Sequence, residues 1–403
     1  GLGDLLGWPK STLTNLVMRH VKKAVPAYRF ANRTPFNQAL KIGAGKKLKP
    51  VDIGYADIAY LQYTGGTTGV SKGAMLSHRN MVYNVQQTIT WQADAYAGVE
   101  PIIAITALPL YHIFSLEGNC LTVMAQGGEN VLISNPRDFE GFAKEIARFD
   151  FNLFTGVNTM FASLMHTPSF DKIDFSPLRV CIGGGMAVQP AVAKEWKQKT
   201  GRTVLQGYGL TETSPVAICC TIDSDFNGTI GLPVPSTDVI IVGDDGNELP
   251  LGEVGEICIK GPQVMEGYWQ RPKDTADVML PGGWLKTGDV GRMDEDGFFW
   301  IEDRKKDMIL VSGFNVYPNE IENVVVELDG ILEAAAIGVT DERSGEVVKI
   351  FAVRKDERLT EQDIIDHCRA NLTGYKRPKM IEFRDELPKT NVGKILRREL
   401  RDE

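Results

Sequence analysis

The sequence predicts an α/β protein: a large N-terminal domain of parallel-sheet α/β layers with a β-rich part, then a small α+β C-terminal domain. Three observations predict this. Short apolar runs alternate with helix-like segments from about residue 58 to 220, the pattern of parallel strands with crossover helices. From about 229 to 302 turn signals crowd closer together and the texture becomes β-rich. After Asp303 helices and strands alternate again over the last hundred or so residues. The domains are therefore 1–303, of which 1–228 is mainly α/β and 229–303 β-rich, and 304–403.

Taken in order, residues 13–25 place Leu13, Leu16, Val17, Val21, Ala24 and Val25 at helical spacing with Arg19, Lys22 and Lys23 between them. This is a short basic amphipathic helix that Pro26 stops. The strands expected in the α/β region are Ile58–Tyr63, Ile102–Ala107, Asn130–Ile133, Asn152–Thr155, Arg179–Ile182 and Thr203–Gln206, with helices at Phe139–Phe149 and Pro190–Thr200. In the β-rich region Val239–Val242 and Glu256–Lys260 are strands, and Asp296-Gly297 turns a hairpin into Phe298–Ile301. In the last domain Glu320–Leu328 and Glu361–Leu372 are helices, and Ala334–Val339 and Val347–Val353 are strands.

Bulk composition removes several function classes. A net charge of -8 argues against a general nucleic-acid binder, although residues 1–50 hold ten Lys and Arg against the single acid Asp4. No apolar run approaches the roughly 20 residues needed to span a bilayer. Cys120, Cys181, Cys219, Cys220, Cys258 and Cys368 form no CxxC pair and have no histidine cluster beside them, so zinc and redox motifs are unsupported. Scattered thiols of this kind suggest a reducing cytoplasm. The opening residues read as mid-chain sequence, with no signal peptide, and imply a truncated or partly ordered chain.

The most informative stretch is Tyr63-Thr64-Gly65-Gly66-Thr67-Thr68-Gly69-Val70-Ser71-Lys72-Gly73. Glycines let backbone N–H groups approach an anion, threonines add hydroxyl donors, and Lys72 adds a mobile charge. It is not a Walker A loop, because the Gly-Lys-Ser/Thr ending is absent. The residue types alone also fit a polar surface turn. Further motifs follow in order: Leu108–Leu116, Gly183-Gly184-Gly185-Met186, Gln206–Pro215, Trp284–Asp289, Asp303–Gly313 and Pro388–Arg397.

This ordered set resembles the adenylate-forming superfamily of acyl-CoA synthetases, adenylation domains and luciferases, and the resemblance covers essentially the whole chain. It implies an ATP/AMP site made of Tyr63, Thr64, Gly65, Gly66, Thr67, Thr68, Gly69, Lys72, Gly183, Gly184, Gly207, Tyr208, Gly209, Thr211, Glu212, Asp289, Arg304 and Lys394. Thr64 and Glu212 would hold Mg²⁺, a hydroxyl and one carboxylate suiting a hard ion that keeps its waters and bridges phosphates. Tyr208 would stack on adenine, and Asp289 with Arg304 would bind the ribose hydroxyls. Lys394 would bridge the attacking carboxylate and the α-phosphate, offsetting the charge that builds on both. His112, Val157, Thr159, Gly185 and Met186 would border the acyl group. Lys306 matches the hinge about which a mobile C-terminal domain swings, and Gly313 the pantetheine channel then completed. Read singly, Glu212 is an ordinary loop acid, Asp289 a turn cap, Lys394 a solvated charge, and His112 a core or gate histidine.

Within the superfamily the chain looks closest to proteobacterial long-chain fatty acid–CoA ligases, through Leu372–Arg401, Phe154–Phe161 and Phe314–Pro318. This implies fatty acid, ATP and coenzyme A as substrates. The basic helix then has two open readings, contact with an anionic membrane surface through residues 11–25 or an internal core helix. Medium-chain and aryl acid–CoA ligases share every motif, and a non-catalytic acyl or nucleotide sensor is the alternative of another class. Retention of Lys72, Glu212, Asp289 and Lys394 argues against the sensor. Leu310, where luciferase-like enzymes usually carry a second lysine, argues against oxygenation. The unbroken run Arg304–Gly313 argues against an acyl-AMP ligase with an insertion near the hinge. Family members carry roughly 150 further residues before the phosphate loop than this chain does. Chain-length preference and oligomeric state are open at this stage.

Overall fold

The structure is a computed structural model that describes residues 3, 6–27, 29–64, 71–390 and 393–402. The chain divides into two compact units, one ending at Ile53 and one running from Gly54. In the first unit a helix spans Lys10–Leu16 and continues in wider turns over Val17–Val21. It ends four residues earlier than the apolar spacing predicts, because Lys23 takes a left-handed φ of 48° before Pro26 is reached. A second helix, Phe36–Ala44, follows Pro35. Leu13, Leu16 and Val21 are exposed on the first helix.

Four sheets are formed among the described residues of the second unit, and the largest carries the site. Its strand order is Glu129–Leu132, Ile103–Thr106, Leu153–Gly156, Val180–Gly184, Leu205–Gly209, Val216–Cys219 and Leu232–Pro233. The first five strands run parallel, and the last two return antiparallel. Leu153–Gly156 and Val180–Gly184 are buried at every residue. That is why they read as apolar runs rather than alternating ones. Helix Pro190–Thr200 starts with proline in its first turn and ends at Gly201 with φ 69°. Its Trp196 is fully buried and meets Phe154, Phe161, Phe170 and Phe175 with ring centroids 5.0–5.9 Å away. This aromatic cluster holds three helices against the sheet.

Ile58–Tyr63 is a strand with the predicted bounds but not a parallel one. It pairs antiparallel with Gly73–Ser77 in a sheet of its own, and the Gly/Thr-rich stretch after Tyr63 is the connection between them. Gly73–Ser77 runs straight into helix His78–Gln92 through a reciprocal cap between Ser77 and Asn80.

The β-rich region forms a sheet ordered Asp238–Val242, Gly255–Lys260, Trp284–Met293 and Met279–Leu280, with Phe299–Arg304 paired to Trp284–Met293. In that last pairing Asp289 stands opposite Arg304. The C-terminal sheet is ordered Phe314–Val316, Ile309–Val311, Gly345–Arg354 and Ile331–Asp341, with Met380–Arg384 parallel to Gly345–Arg354. Helices Pro318–Val326 and Glu361–Asn371 cover its core. All six cysteines are free thiols. Among the described residues no helix is long and apolar enough to cross a membrane.

Candidate active site

The carboxyl ends of the parallel strands open into a cavity of about 950 Å³, the position where open α/β sheets bind ligands. It is joined to a smaller one of about 280 Å³ through shared residues that include Gly185, Tyr208, Arg304, Lys306 and Lys394. Two neighbouring strands deliver most of the floor. Leu205–Gly209 brings Gly207, Tyr208 and Gly209, and Val180–Gly184 brings Gly184, with Gly185 and Met186 just beyond. A Cβ on Gly209 would lie 1.8 Å from the Pro215 carbonyl oxygen, so only glycine fits there. Gly183 is placed differently from the expectation. Its missing Cβ points at Val188, 2.3 Å from the methyl carbon, and it is absent from the residues lining either cavity. It permits close packing beneath the site.

Asp289 is 5% exposed and is held from two sides. The Tyr208 hydroxyl donates to Oδ2 at 2.8 Å, and Arg304 Nε lies 3.2 Å from Oδ1. Burial pushes the Tyr208 phenol well above its ordinary pKa, and the Asp289 carboxylate adds to that, so it stays a donor. The sheet register sets this triad, since Asp289 and Arg304 are cross-strand partners and Tyr208 comes from the other sheet.

At the mouth of the Gly/Thr-rich loop the Thr64 N–H donates to the Lys72 carbonyl at 2.9 Å, closing the hairpin. Tyr63, Thr64, Ser71 and Lys72 border the large cavity. Gly65, Gly66, Thr67, Thr68 and Gly69 lie outside the described residues. Lys72 Nζ is 2.6 Å from Asp274 and 5.0 Å from the centre of the Tyr268 ring. The Tyr268 hydroxyl donates to Glu212 Oε1 at 2.6 Å. Tyr268, Arg271 and Asp274 thus join Thr211 and Glu212 around the same cavity, and sequence reading missed all three. Asp274 carried only the signal of an acid in the first turn of helix Pro272–Val278.

His112 and Val157 line the large cavity, and Thr159, Met186 and Gly185 the small one. His112 is fixed in place by its ring, because Nδ1 accepts the Phe114 N–H at 3.3 Å and caps the helix that follows. Burial, and then the Lys394 ammonium, lower its pKa and keep it neutral near pH 7. Lys394 lines both cavities. Removal from water, and then the Arg304 guanidinium, push its pKa down to about 7. Next to it, Gly393 adopts φ 83°, with Thr159 Oγ1 and Val157 Cγ2 only 3.1 and 3.2 Å from where a Cβ would sit. The Thr159 hydroxyl donates to the Gly393 carbonyl at 3.3 Å.

Lys306 sits in the turn after Arg304, whose carbonyl accepts the N–H groups of Asp307 and Met308. Gly313 occupies the hairpin tip between Ile309–Val311 and Phe314–Val316 and lines neither cavity. The joined cavities thus bring together the buried Asp289 carboxylate, the cationic side chains of Lys72, Arg271, Arg304 and Lys394, and an apolar wall that includes Leu108, Phe114 and Val157.

A family model for AMP-binding enzymes matches residues 12–269, and one for the AMP-binding enzyme C-terminal domain matches residues 320–394. The chain belongs to the AMP-binding enzyme family. As such an enzyme it is 54% identical over 404 residues to a long-chain-fatty-acid–CoA ligase of Escherichia coli O6:H1, covering 100% of this chain and 72% of the relative. It is 40% identical to a ligase of the same name from Bacillus subtilis, covering 99% and 71%. A feruloyl-CoA synthase from an Amycolatopsis species is 38% identical over 87% of this chain and 70% of its own. Among solved structures, ATP-bound MatB from Rhodopseudomonas palustris superposes with a TM-score of 0.82 at 32% identity, covering 91% of this chain and 72% of that one. The adenylate-forming fold and the two-part α/β architecture expected from the motifs are the ones these comparisons give.

Proposed function

We propose that this AMP-binding enzyme is an ATP-dependent long-chain fatty acid–CoA ligase working through an acyl-AMP intermediate. The observation that carries the reading is the placement of Lys394. It stands within one continuous space with the Tyr208–Asp289–Arg304 triad, the Lys72 and Glu212 phosphate end, and the apolar wall at Val157. In the first half-reaction a carboxylate oxygen attacks the α-phosphorus and the bond to pyrophosphate breaks. Lys394 offsets charge on both reactants and holds them in line. Neutral His112 adds no second cation there. In the second half-reaction the coenzyme A sulfur attacks the acyl carbon, the bond to AMP breaks, and the thiol proton passes to solvent.

Asp289 orients the ribose diol, its carboxylate held by Tyr208 and Arg304. Among the described residues no group of three His, Cys, Asp or Glu side chains is arranged to hold a metal ion. Glu212 and Thr64 suit Mg²⁺, which takes one or two protein oxygens and the rest from phosphates and water. Bound there, Mg²⁺ would neutralise phosphate charge.

Residues 304–403 act in this reading as a lid turning at Lys306. The arrangement with Lys394 at the cavity and Gly313 away from it supports the adenylating state, and the swing would exchange them. The basic helix supports peripheral membrane contact, since Leu13, Leu16 and Val21 are exposed beside Arg19, Lys22 and Lys23. Charge-reversed Lys22→Glu, Lys23→Glu protein should sediment less with phosphatidylserine vesicles; equal sedimentation removes the membrane reading.

The test of the activity is CoA-dependent AMP release with palmitate, octanoate and coumarate. Palmitate should be favoured, and Lys394→Ala should abolish release. Absence of AMP release with all three acids refutes the ligase; a preference for coumarate refutes the chain-length reading alone.

A further inference from the structure

Where Thr64 and Ser71 border the large cavity, its wall also carries Lys72, Glu212, Arg271 and Asp274. Two of these are cations and two are anions, so their charges cancel. A wall built only to grip a polyphosphate would carry an excess of cations. Asp274 is the acid that needs explaining. Its Oδ1 lies 2.6 Å from Lys72 Nζ, and the ammonium also stands 5.0 Å from the centre of the Tyr268 ring. The Lys72 hydrogen bond first, with the Arg271 charge adding to it, holds the Asp274 carboxyl below the usual carboxylate range, so it is an anion near pH 7. Backbone bonds bring the pair together. The Trp269 N–H donates to the Gly73 carbonyl, and the Met75 N–H to the Gly267 carbonyl, both at 2.8 Å. Thr275 Oγ1 then fixes the start of helix Pro272–Val278, accepting from the Tyr268 N–H at 2.9 Å and donating to the Arg271 carbonyl at 3.0 Å. The two side chains are 36% and 31% exposed, so this is a half-open pair that either group can leave at small cost.

We infer that Asp274 competes with the nucleotide's polyphosphate for Lys72, and so limits how tightly the site holds pyrophosphate, the product that must leave. The inference rests on the acid–CoA ligase reading for the identity of that polyphosphate. A lysine ammonium is a mobile point charge with three donors, suited to passing between a carboxylate and a phosphate. Whatever charge Asp274 draws from it is lost to the phosphates, and the carboxylate repels them besides. Asp274 is therefore a positioning residue acting through Lys72. Product release limits many enzymes, so a weaker hold on pyrophosphate favours turnover once ATP is saturating.

The experiment uses Asp274→Asn, which keeps the shape and removes the charge, in the intact protein. With palmitate and coenzyme A, the KM for ATP and the inhibition constant of pyrophosphate should each fall about threefold, the scale of a half-exposed ion pair. Both differences should shrink in 0.5 M salt, about where screening reaches a few ångströms. Thiolysis of synthetic palmitoyl-AMP involves no polyphosphate and should not shift, and Asp274→Glu should restore the wild-type constants. Constants that stay level or rise in Asp274→Asn overturn the inference, and so does an equal shift in thiolysis, which marks a merely structural role. Calorimetric titration with magnesium pyrophosphate needs no turnover and should show the same threefold tightening. Tightening without AMP release from any acid overturns the ligase reading and leaves the competition for Lys72 standing; AMP release without tightening overturns the competition alone.

Discussion

The pH dependence of adenylation follows from the setting of Lys394. In the free enzyme its pKa is pushed down to about 7, by burial first and the Arg304 guanidinium second. The neutral amine therefore grows as pH rises through 7, and only the ammonium can offset charge on carboxylate and phosphate. At pH 8.5 roughly 3% of the lysine is charged, so kcat/KM for ATP should fall about thirtyfold from its acid plateau. His112 adds nothing to this limb, because its own pKa is lowered and it is already neutral. Tyr208 is raised and stays protonated throughout. Once substrates are bound, their negative charges draw the lysine pKa back up, so kcat should hold to higher pH than kcat/KM. The assay is acid-dependent exchange of labelled pyrophosphate into ATP, at limiting and at saturating ATP, from pH 6 to 9. Lys394→Arg cannot deprotonate in this range and should give a flat, lower profile. A flat wild-type profile in kcat/KM, or the same descent in the arginine variant, refutes the argument.

Thr159→Val removes the hydroxyl that donates to the Gly393 carbonyl. One such bond is worth about 0.5–1.5 kcal/mol, so pyrophosphate exchange should drop about threefold to tenfold, and Thr159→Ser should restore it. Thiolysis of synthetic palmitoyl-AMP, from which Lys394 is withdrawn in the proposed mechanism, should change far less; an equal loss in both half-reactions contradicts a positioning role. Tyr268→Phe frees Glu212 from its 2.6 Å donor and should raise the Mg²⁺ concentration needed for half-maximal exchange. Mn²⁺ binding followed by electron paramagnetic resonance in the presence of ATP should weaken in parallel, and unchanged Mn²⁺ affinity would sink that role. Glu117 is fully buried, and burial raises its pKa well above the ordinary 4.5. Between 4.5 and that raised value the folded state binds the extra proton, so stability should fall as pH rises from 5 to 8. Glu117→Gln should flatten this part of the Tm–pH curve; an unaltered slope would place the dependence elsewhere.

Legibility in the sequence followed the range of the interaction. Strand Ile58–Tyr63 and helix Pro190–Thr200 are readable to the residue, because apolar runs, a first-turn proline and Gly201 act locally. The partner of Ile58–Tyr63 is not local, and the period of a strand does not reveal whether its neighbour runs parallel. In the site, Asp289 and Arg304 are legible as types, but their contact depends on the register of two strands. Asp274 and Tyr268 were missed because their meaning lies in Lys72 and Glu212, some 200 and 56 residues away in sequence. Gly183 is read as a site glycine since nothing in a run of three glycines tells which Cβ direction faces ligand and which faces Val188.

The ties around Lys394 bear on how the lid could carry it. Within Pro388–Arg397 the Thr390 hydroxyl accepts the Lys394 N–H at 3.1 Å, and the Thr390 N–H donates to the Lys394 carbonyl at 2.8 Å. Farther along, Arg397 Nη2 is 2.7 Å from Glu322, and its Nη1 lies 3.6 Å from Asp303 and 3.5 Å from Asp307. Arg401 adds a second bond to Asp307 at 2.9 Å. Charge-assisted pairs that are largely buried are costly to break by removing one partner. The pairs with Asp307 and Glu322 join the lysine loop to residues beyond Lys306, so loop and lid core would move as one body, whereas the 3.6 Å contact with Asp303 reaches across Lys306 and would have to break. Toward the cavity wall the loop reaches through the longer Thr159–Gly393 bond, a neutral contact of modest strength. Firm ties behind the lysine and a weak one ahead of it suit a group that must be placed accurately for one half-reaction and withdrawn for the next.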